Sequence, residues 1–183
     1  MRIRITFFAL AAAATSSWAV APSLPGPAFP LYANPAALEA ACTKNLATAK
    51  AAVAKLERAK PDSRWLGAYD DLNALAEDLS GPIFLLSNVH PDKPMRDASE
   101  ACELRWQDFS STLGQNEKLY KAAKRLKGRD AIDRELLKNT LEGVEDAGVS
   151  LPPAQRRRAK AIQDRITELG QTFDKNVRDA GIQ

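Results

Sequence analysis

From residue 34 onward, apolar positions recur at steps of three and four, the spacing of one face of an α-helix. Leu38, Cys42, Leu46, Ala49, Val53 and Leu56 form the first such stripe. Asn34-Pro35 offers it a cap and a first-turn proline, and Pro61 ends it. A second helix is predicted from about Ser63 to Leu79, with Trp65, Tyr69, Leu72, Leu75 (or Ala76) and Leu79 on one side. Ser80-Gly81-Pro82 interrupts it, and Ile83 to Leu86 continues either as a kinked helix or as a fresh short one. A third begins near Met95 and carries Ala98, Cys102, Trp106 (or Arg105), Phe109, Leu113, Tyr120 and Ala123 as far as Lys127-Gly128-Arg129. The fourth, Asp130 to about Asp146, shows Ile132, Leu136, Leu137, Leu141 and Val144. Pro152-Pro153 opens the last, whose seam is Ile162, Ile166, Leu169, Phe173, Val177 and Ala180.

No stretch alternates with the period of two that a half-buried strand needs. The expected fold is therefore all-α, with about five mostly long helices. Short connections make sequence neighbours antiparallel partners in a bundle.

The first residues have a different character. Arg2 and Arg4 precede an uncharged apolar run from Ile5 to Ala14 and two small-x-small sites, Ser17-Trp18-Ala19 and Ala19-Val20-Ala21. That order is the architecture of a secretory signal peptide, residues 1–19, with Ala21 as an alternative cleavage point. The run is about half the ~20 residues a membrane-spanning helix needs. Residues 20–33 hold Pro22, Pro25, Pro27 and Pro30 and read as an extended leader, leaving 34–183 as the helical lobe. The expected location is exported and periplasmic, with no membrane association after cleavage.

Charge adds little. The formal net charge of +3 falls to +1 without Arg2 and Arg4, so no nucleic-acid or anionic-lipid partner is indicated. The two cysteines, Cys42 and Cys102, both lie on apolar stripes. In an oxidising compartment they could bridge, closing a loop of about 60 residues, or remain two buried thiols; sequence leaves both open. They are too far from other ligand types to start a metal site.

The single histidine, His90, restricts the chemistry most. A zinc peptidase of the H-E-x-x-H kind needs two histidines four apart on one helix face, with a glutamate between them as general base. His90 sits instead in the turn His90-Pro91-Asp92-Lys93-Pro94. There is no G-x-S-x-G, no phosphate-cradling glycine loop and no C-x-x-C-H. Arg156-Arg157-Arg158, the one basic run, reads as a solvated helix start with one salt bridge, an acidic ligand being the sharper alternative. No catalytic, cofactor or metal residue is assigned within this chain.

Three segments carry a resemblance. Leu113-Gly114-Gln115-Asn116-Glu117-Lys118-Leu119-Tyr120 is similar to an L-x-Q-N-x-x-L-Y segment. Gly148-Val149-Ser150-Leu151-Pro152 is similar to a G-x-x-L-P element, and Leu169 to Val177 to an L-x-x-x-F-x-x-N-[LV] pattern. In this order they resemble the N-terminal helical region of the thimet oligopeptidase family of zinc metallopeptidases, which includes neurolysin and oligopeptidase A. The resemblance covers roughly Trp65 to Asp179, about the first quarter of a full member. It implies a neurolysin-like helical lobe forming one wall of a narrow channel that admits short peptides. The zinc and the metalloendopeptidase residues of that family lie in a later catalytic domain.

The resemblance implies short peptides as ligands of the full-length family, and the remainder of the peptidase as the lobe's partner. This chain, lacking the zinc motif, is expected to be an inactive and incomplete piece. Gln115, Asn116, Tyr120 and Asn176 interrupt otherwise apolar stripes or stand beside them. They are expected to tie helices together or to line the channel wall, because buried amides must be hydrogen-bonded. The alternative reading is a stand-alone periplasmic helical module that binds peptides or unfolded chains.

Overall fold

The computed structural model describes residues 29–180; the expected signal peptide and most of the proline-rich leader lie outside them. Six helices follow: α1 (Pro35–Arg58), α2 (Trp65–Val89), α3 (Lys93–Gly114), α4 (Glu117–Ala123), α5 (Ala131–Asp146) and α6 (Pro153–Asp179). No strand occurs among the described residues.

Each boundary has a local cause. The Asn34 side chain accepts from the Ala37 N–H at 2.9 Å, with Pro35 in the first turn, and Asp130 accepts from Asp133 N–H at 2.8 Å. Gly148, at φ 86°, closes α5 in a Schellman turn. Its N–H donates to Glu145 O and the Val149 N–H to Val144 O. A side chain at 148 would be strained in that conformation and would meet Leu151 Cδ1 at 2.9 Å.

Two sequence expectations resolve or change. Pro82 lies inside one continuous α2, so the second half is not a separate helix. An interior proline costs about 3 kcal/mol, which the burial of Ile83 and Leu86 beyond it in the core offsets. The third helix, expected in one piece from Met95 to Ala123, is two: the chain breaks at Gln115-Asn116, giving six helices rather than five. Ile132 also departs from the expected stripe of α5, pointing outward while Leu137 and Val144 are buried.

Contacts fix the orientations. Asn45 reaches Leu79 O and the Trp65 indole N–H reaches Leu56 O, so α1 and α2 run antiparallel. Ser87 bonds Glu103, which makes α2 and α3 antiparallel as well. Between α1 and α3, residue 42 meets 102 and 57 meets 116, so these two run parallel. Helix α6 lies antiparallel along α3, with Lys160 beside Asp108 and Lys175 beside Asp97.

The core has two parts. One joins α1, α2 and α3 around Leu38, Cys42, Ile83 and Trp106, whose ring meets Phe109 edge-on at 5.5 Å. Within it Cys42 and Cys102 form a disulfide with Cα atoms 6.1 Å apart. The other lies under α4 and α5 around Leu56, Leu119 and a stacked Trp65–Tyr69 pair. Val53 and Leu113 pack against both.

Candidate functional site

Two arrangements of polar side chains stand out, one at the α3–α4 break and one along α6. At the break, the Asn116 side-chain oxygen accepts from the N–H groups of Lys118 (3.0 Å) and Leu119 (3.1 Å), capping α4. Its amide nitrogen donates to Glu57 Oε1 at 2.8 Å, across to α1. The Glu57 carboxyl is held below the usual carboxylate range by this bond and by Lys118, 3.0 Å from its other oxygen. Gln115 donates to Ala147 O at 2.9 Å, satisfying a carbonyl at the end of α5, and to Arg156 O at 3.2 Å in the first turn of α6.

Tyr120 donates its hydroxyl to Glu145 at 2.5 Å, and the Lys124 ammonium lies 5.0 Å from its ring centre. Of the basic run, Arg156 pairs with Glu117 and donates to Val149 O, while Arg157 and Arg158 are exposed. Glu117 is held low by Lys121 and Arg156.

Asn176 departs from this set. It is exposed on α6, and among the described residues no side-chain hydrogen bond joins it to another helix. It sits beside Val177 on the outward face, where solvent can satisfy an amide without a protein partner.

Helix α6 is mounted by its polar side. Lys160 bonds Asp108 at 2.6 Å and Asp164 at 2.7 Å. Gln171 donates to Glu100 O at 2.9 Å and to Glu103 at 3.1 Å. Lys175 bridges Asp97 (3.0 Å) and Glu100 (2.9 Å), and Arg178 pairs with Glu100 and donates to Ser87 O at 2.8 Å. Glu100 is buried, and two cations satisfy it there. Burial pushes the Glu103 carboxyl up, against the opposing bonds from Ser87 and Gln171. Ser87, Glu100, Glu103, Gln171, Lys175 and Arg178 line a polar cavity of about 240 Å³ between α2, α3 and α6.

The apolar seam of α6 therefore faces outward. Ile162, Ile166, Leu169, Phe173 and Val177 are 52–66% exposed, and no residue of this 27-residue helix is buried. Sequence periodicity identified the seam but not the network beneath it. Its signal was present: Asp97, Glu100 and Asp108 on one helix match Lys160, Lys175 and Arg178 on another, at helical spacing.

A second, more apolar groove of about 620 Å³ opens between α2, α3 and α5, lined by Tyr69, Asn73, Phe84, Phe109, Leu136 and Asn139. It holds no nucleophile with an adjacent base. His90 accepts from the Asp92 N–H at 3.1 Å in the turn after α2. Among the described residues no three His, Cys, Asp or Glu side chains are placed to hold a metal ion. With one histidine, and that one in a turn, the donor set does not fit a catalytic zinc.

No family model matches the chain. It is 31% identical over 150 residues to oligopeptidase A of Salmonella typhimurium, covering 76% of this chain and 22% of that protein. To oligopeptidase A of Escherichia coli it is 31% identical over 117 residues, 58% of this chain and 17% of that one. To a thimet-like oligopeptidase of Dictyostelium discoideum it is 27% identical over 121 residues, 61% of this chain and 18% of that one. The chain thus spans about a fifth of the length of the curated relatives it matches. What the sequence and the six helices establish together is a distant, partial match to the oligopeptidase A and thimet-like oligopeptidases, carried by an all-helical domain without a metal-binding cluster among its described residues.

Proposed function

We propose that this chain is a non-catalytic helical lobe of an exported oligopeptidase, corresponding to the N-terminal lobe of that family. The observation that carries the reading is the match to oligopeptidase A, which takes in three quarters of this chain and a fifth of the relative. In this reading the lobe supplies a wall of the peptide channel. The zinc and the general base belong to the polypeptide that completes the peptidase. Export is supported by the Cys42–Cys102 disulfide, a bond that persists in oxidising compartments.

The test is complementation. An oligopeptidase A deleted for the region matched here is expressed with and without this chain, and cleavage of a short fluorogenic peptide is measured. Restored, zinc-dependent cleavage supports the reading. No restoration, with both pieces soluble, counts against it, as does turnover or stoichiometric zinc binding by this chain alone.

The groove between α2, α3 and α5 favours a second reading, a self-sufficient module that binds peptides without cleaving them. Titration of the chain with unlabelled short peptides, followed through its tryptophan fluorescence, separates the two. Saturable binding without complementation selects the module.

A further inference from the structure

We propose that the outward seam of α6 is a self-association surface, occupied by α6 of a second copy lying antiparallel to it. This goes beyond the peptidase reading and does not depend on it.

An isolated amphipathic helix on a small bundle buries its apolar side. Here the polar side faces the bundle, half-buried, and the apolar side is presented, with five large side chains more than half exposed along one line. Each leaves roughly 100 Å² uncovered, so the seam offers on the order of 500 Å², at the upper end of what a monomer tolerates as one patch. Two such seams brought together would bury about 1,000 Å², the threshold of a specific interface. The helix is long enough for this, since 27 residues extend about 40 Å. Steps of four, three, four and four between Ile162 and Val177 follow the 3-4 alternation of a helix-pairing seam.

Charge complementarity selects a second copy, and an antiparallel one. Arg165 and Asp179 stand on the same flank of the seam, seven residues either side of Thr172. A two-fold axis near that point sets Arg165 of each copy against Asp179 of the other, giving two reciprocal ion pairs. It also lays Leu169 and Phe173 against Phe173 and Leu169. A parallel pairing would set the Arg165–Asp179 flanks of the two copies on opposite edges of the interface, where neither ion pair could form. Among the described residues both pair only with neighbours on their own helix, Glu168 for Arg165 and Arg178 for Asp179, and both are solvent-accessible. A two-fold interface must be complementary to itself in this way.

The test is a charge-swap series on the secreted, oxidised chain, read by sedimentation velocity and multi-angle light scattering at tens of micromolar. The expected mass is twice that of the protomer. Arg165→Asp and Asp179→Arg should each weaken the dimer about tenfold at low salt. The double variant should return to within about twofold of the parent, because the pairs re-form in reverse. Phe173→Glu should give a monomer with unchanged helicity. A parent chain that is monomeric throughout overturns the proposal. So does a dimer that ignores Phe173→Glu, or one the double variant does not restore. Complementation of a shortened oligopeptidase is a separate readout. If it succeeds with a monomeric chain and fails with Phe173→Glu, the seam belongs to the rest of the peptidase and self-association is wrong.

Discussion

Breaking the Cys42–Cys102 bond tests how the first part of the core is held. The two residues lie on parallel helices and are 60 apart in sequence, so the bridge encloses all of α2. Tying the ends of a loop of that length removes about 14 cal/mol/K of entropy from the unfolded chain, or ~4 kcal/mol at 25 °C in the chain-entropy account. A domain of this size is stable by only about 5–15 kcal/mol, so the loss is a large share of the whole. Reduction is a cleaner perturbation than Cys→Ser, because both sulfurs are buried and a serine hydroxyl there would add its own desolvation cost. The assay is urea unfolding of the oxidised and the reduced, alkylation-free chain, followed by helical circular dichroism. With a slope of about 2 kcal/mol per molar, the midpoint should fall by roughly 2 M. A fall below about 0.5 M with an unchanged slope would refute the entropic reasoning. It would mean that the α1–α3 contacts, not the bridge, limit the unfolded ensemble. Cys42→Ala/Cys102→Ala should track the reduced chain, with any excess loss reporting the cavity the two sulfurs leave.

Asn116→Ala should cost about 1–3 kcal/mol, combining a lost cap with the loss of the amide donor to Glu57 Oε1, and should expose α4 amides to hydrogen exchange before those of α3. Asn116→Asp keeps the cap but sets a carboxylate against Glu57, so it should be destabilising at pH 7 and closer to neutral at pH 4 in urea melts. The α6 attachment should weaken in acid. The Asp97 carboxyl is held low by Lys93 and Lys175, so its contribution is present above the ordinary aspartate range near pH 4 and is lost as pH falls through the depressed value. Hydrogen exchange across α6 should accelerate below about pH 4 ahead of α1; uniform acceleration would contradict a polar mounting. Glu103 has the opposite sign. Burial raises its pKa, so its penalty appears as pH rises through the folded value, and Glu103→Gln should raise the melting temperature more at pH 7 than at pH 4.

The elements were legible wherever apolar spacing and end signals agreed. Asn34-Pro35 and Pro61 bracket α1, and Asp130 and Gly148 bracket α5, because caps and left-handed closures are local chemistry. At Pro82 local chemistry pointed to an interruption, but packing of Ile83 and Leu86 overrode it. At Gln115-Asn116 the reverse happened. The apolar steps run on through Leu113 to Leu119 and Tyr120 and suggest one helix. Asn116 is nonetheless a strong cap residue followed by glutamate, a start signal that periodicity obscured. Sequence could name Gln115 as a tie but could not supply its acceptors, Ala147 O and Arg156 O, which come from 32 and 41 residues away.

The orientation of α6 shows where such reading stops. Periodicity defines two faces of a helix and says nothing about which one is down; the default, apolar inward, fails here. Turning α6 over would bury Ile162, Ile166, Leu169, Phe173 and Val177 against α3. It would also strand the buried Glu100 opposite a surface with no cation and leave Asp97 with Lys93 alone. A buried carboxylate without a partner costs several kcal/mol, comparable to what two or three of those side chains would gain. Facing charges on α3 thus decide the side by which α6 is held, and the seam is left outward as a consequence. Neutralising that requirement should test the account: Glu100→Gln/Asp97→Asn removes the penalty for inversion. In that variant Phe173 and Leu169 should lose accessibility to hydroxyl-radical labelling while Lys175 gains it. If Phe173 stays as accessible as in the parent, the acidic residues of α3 are not what sets the face of α6.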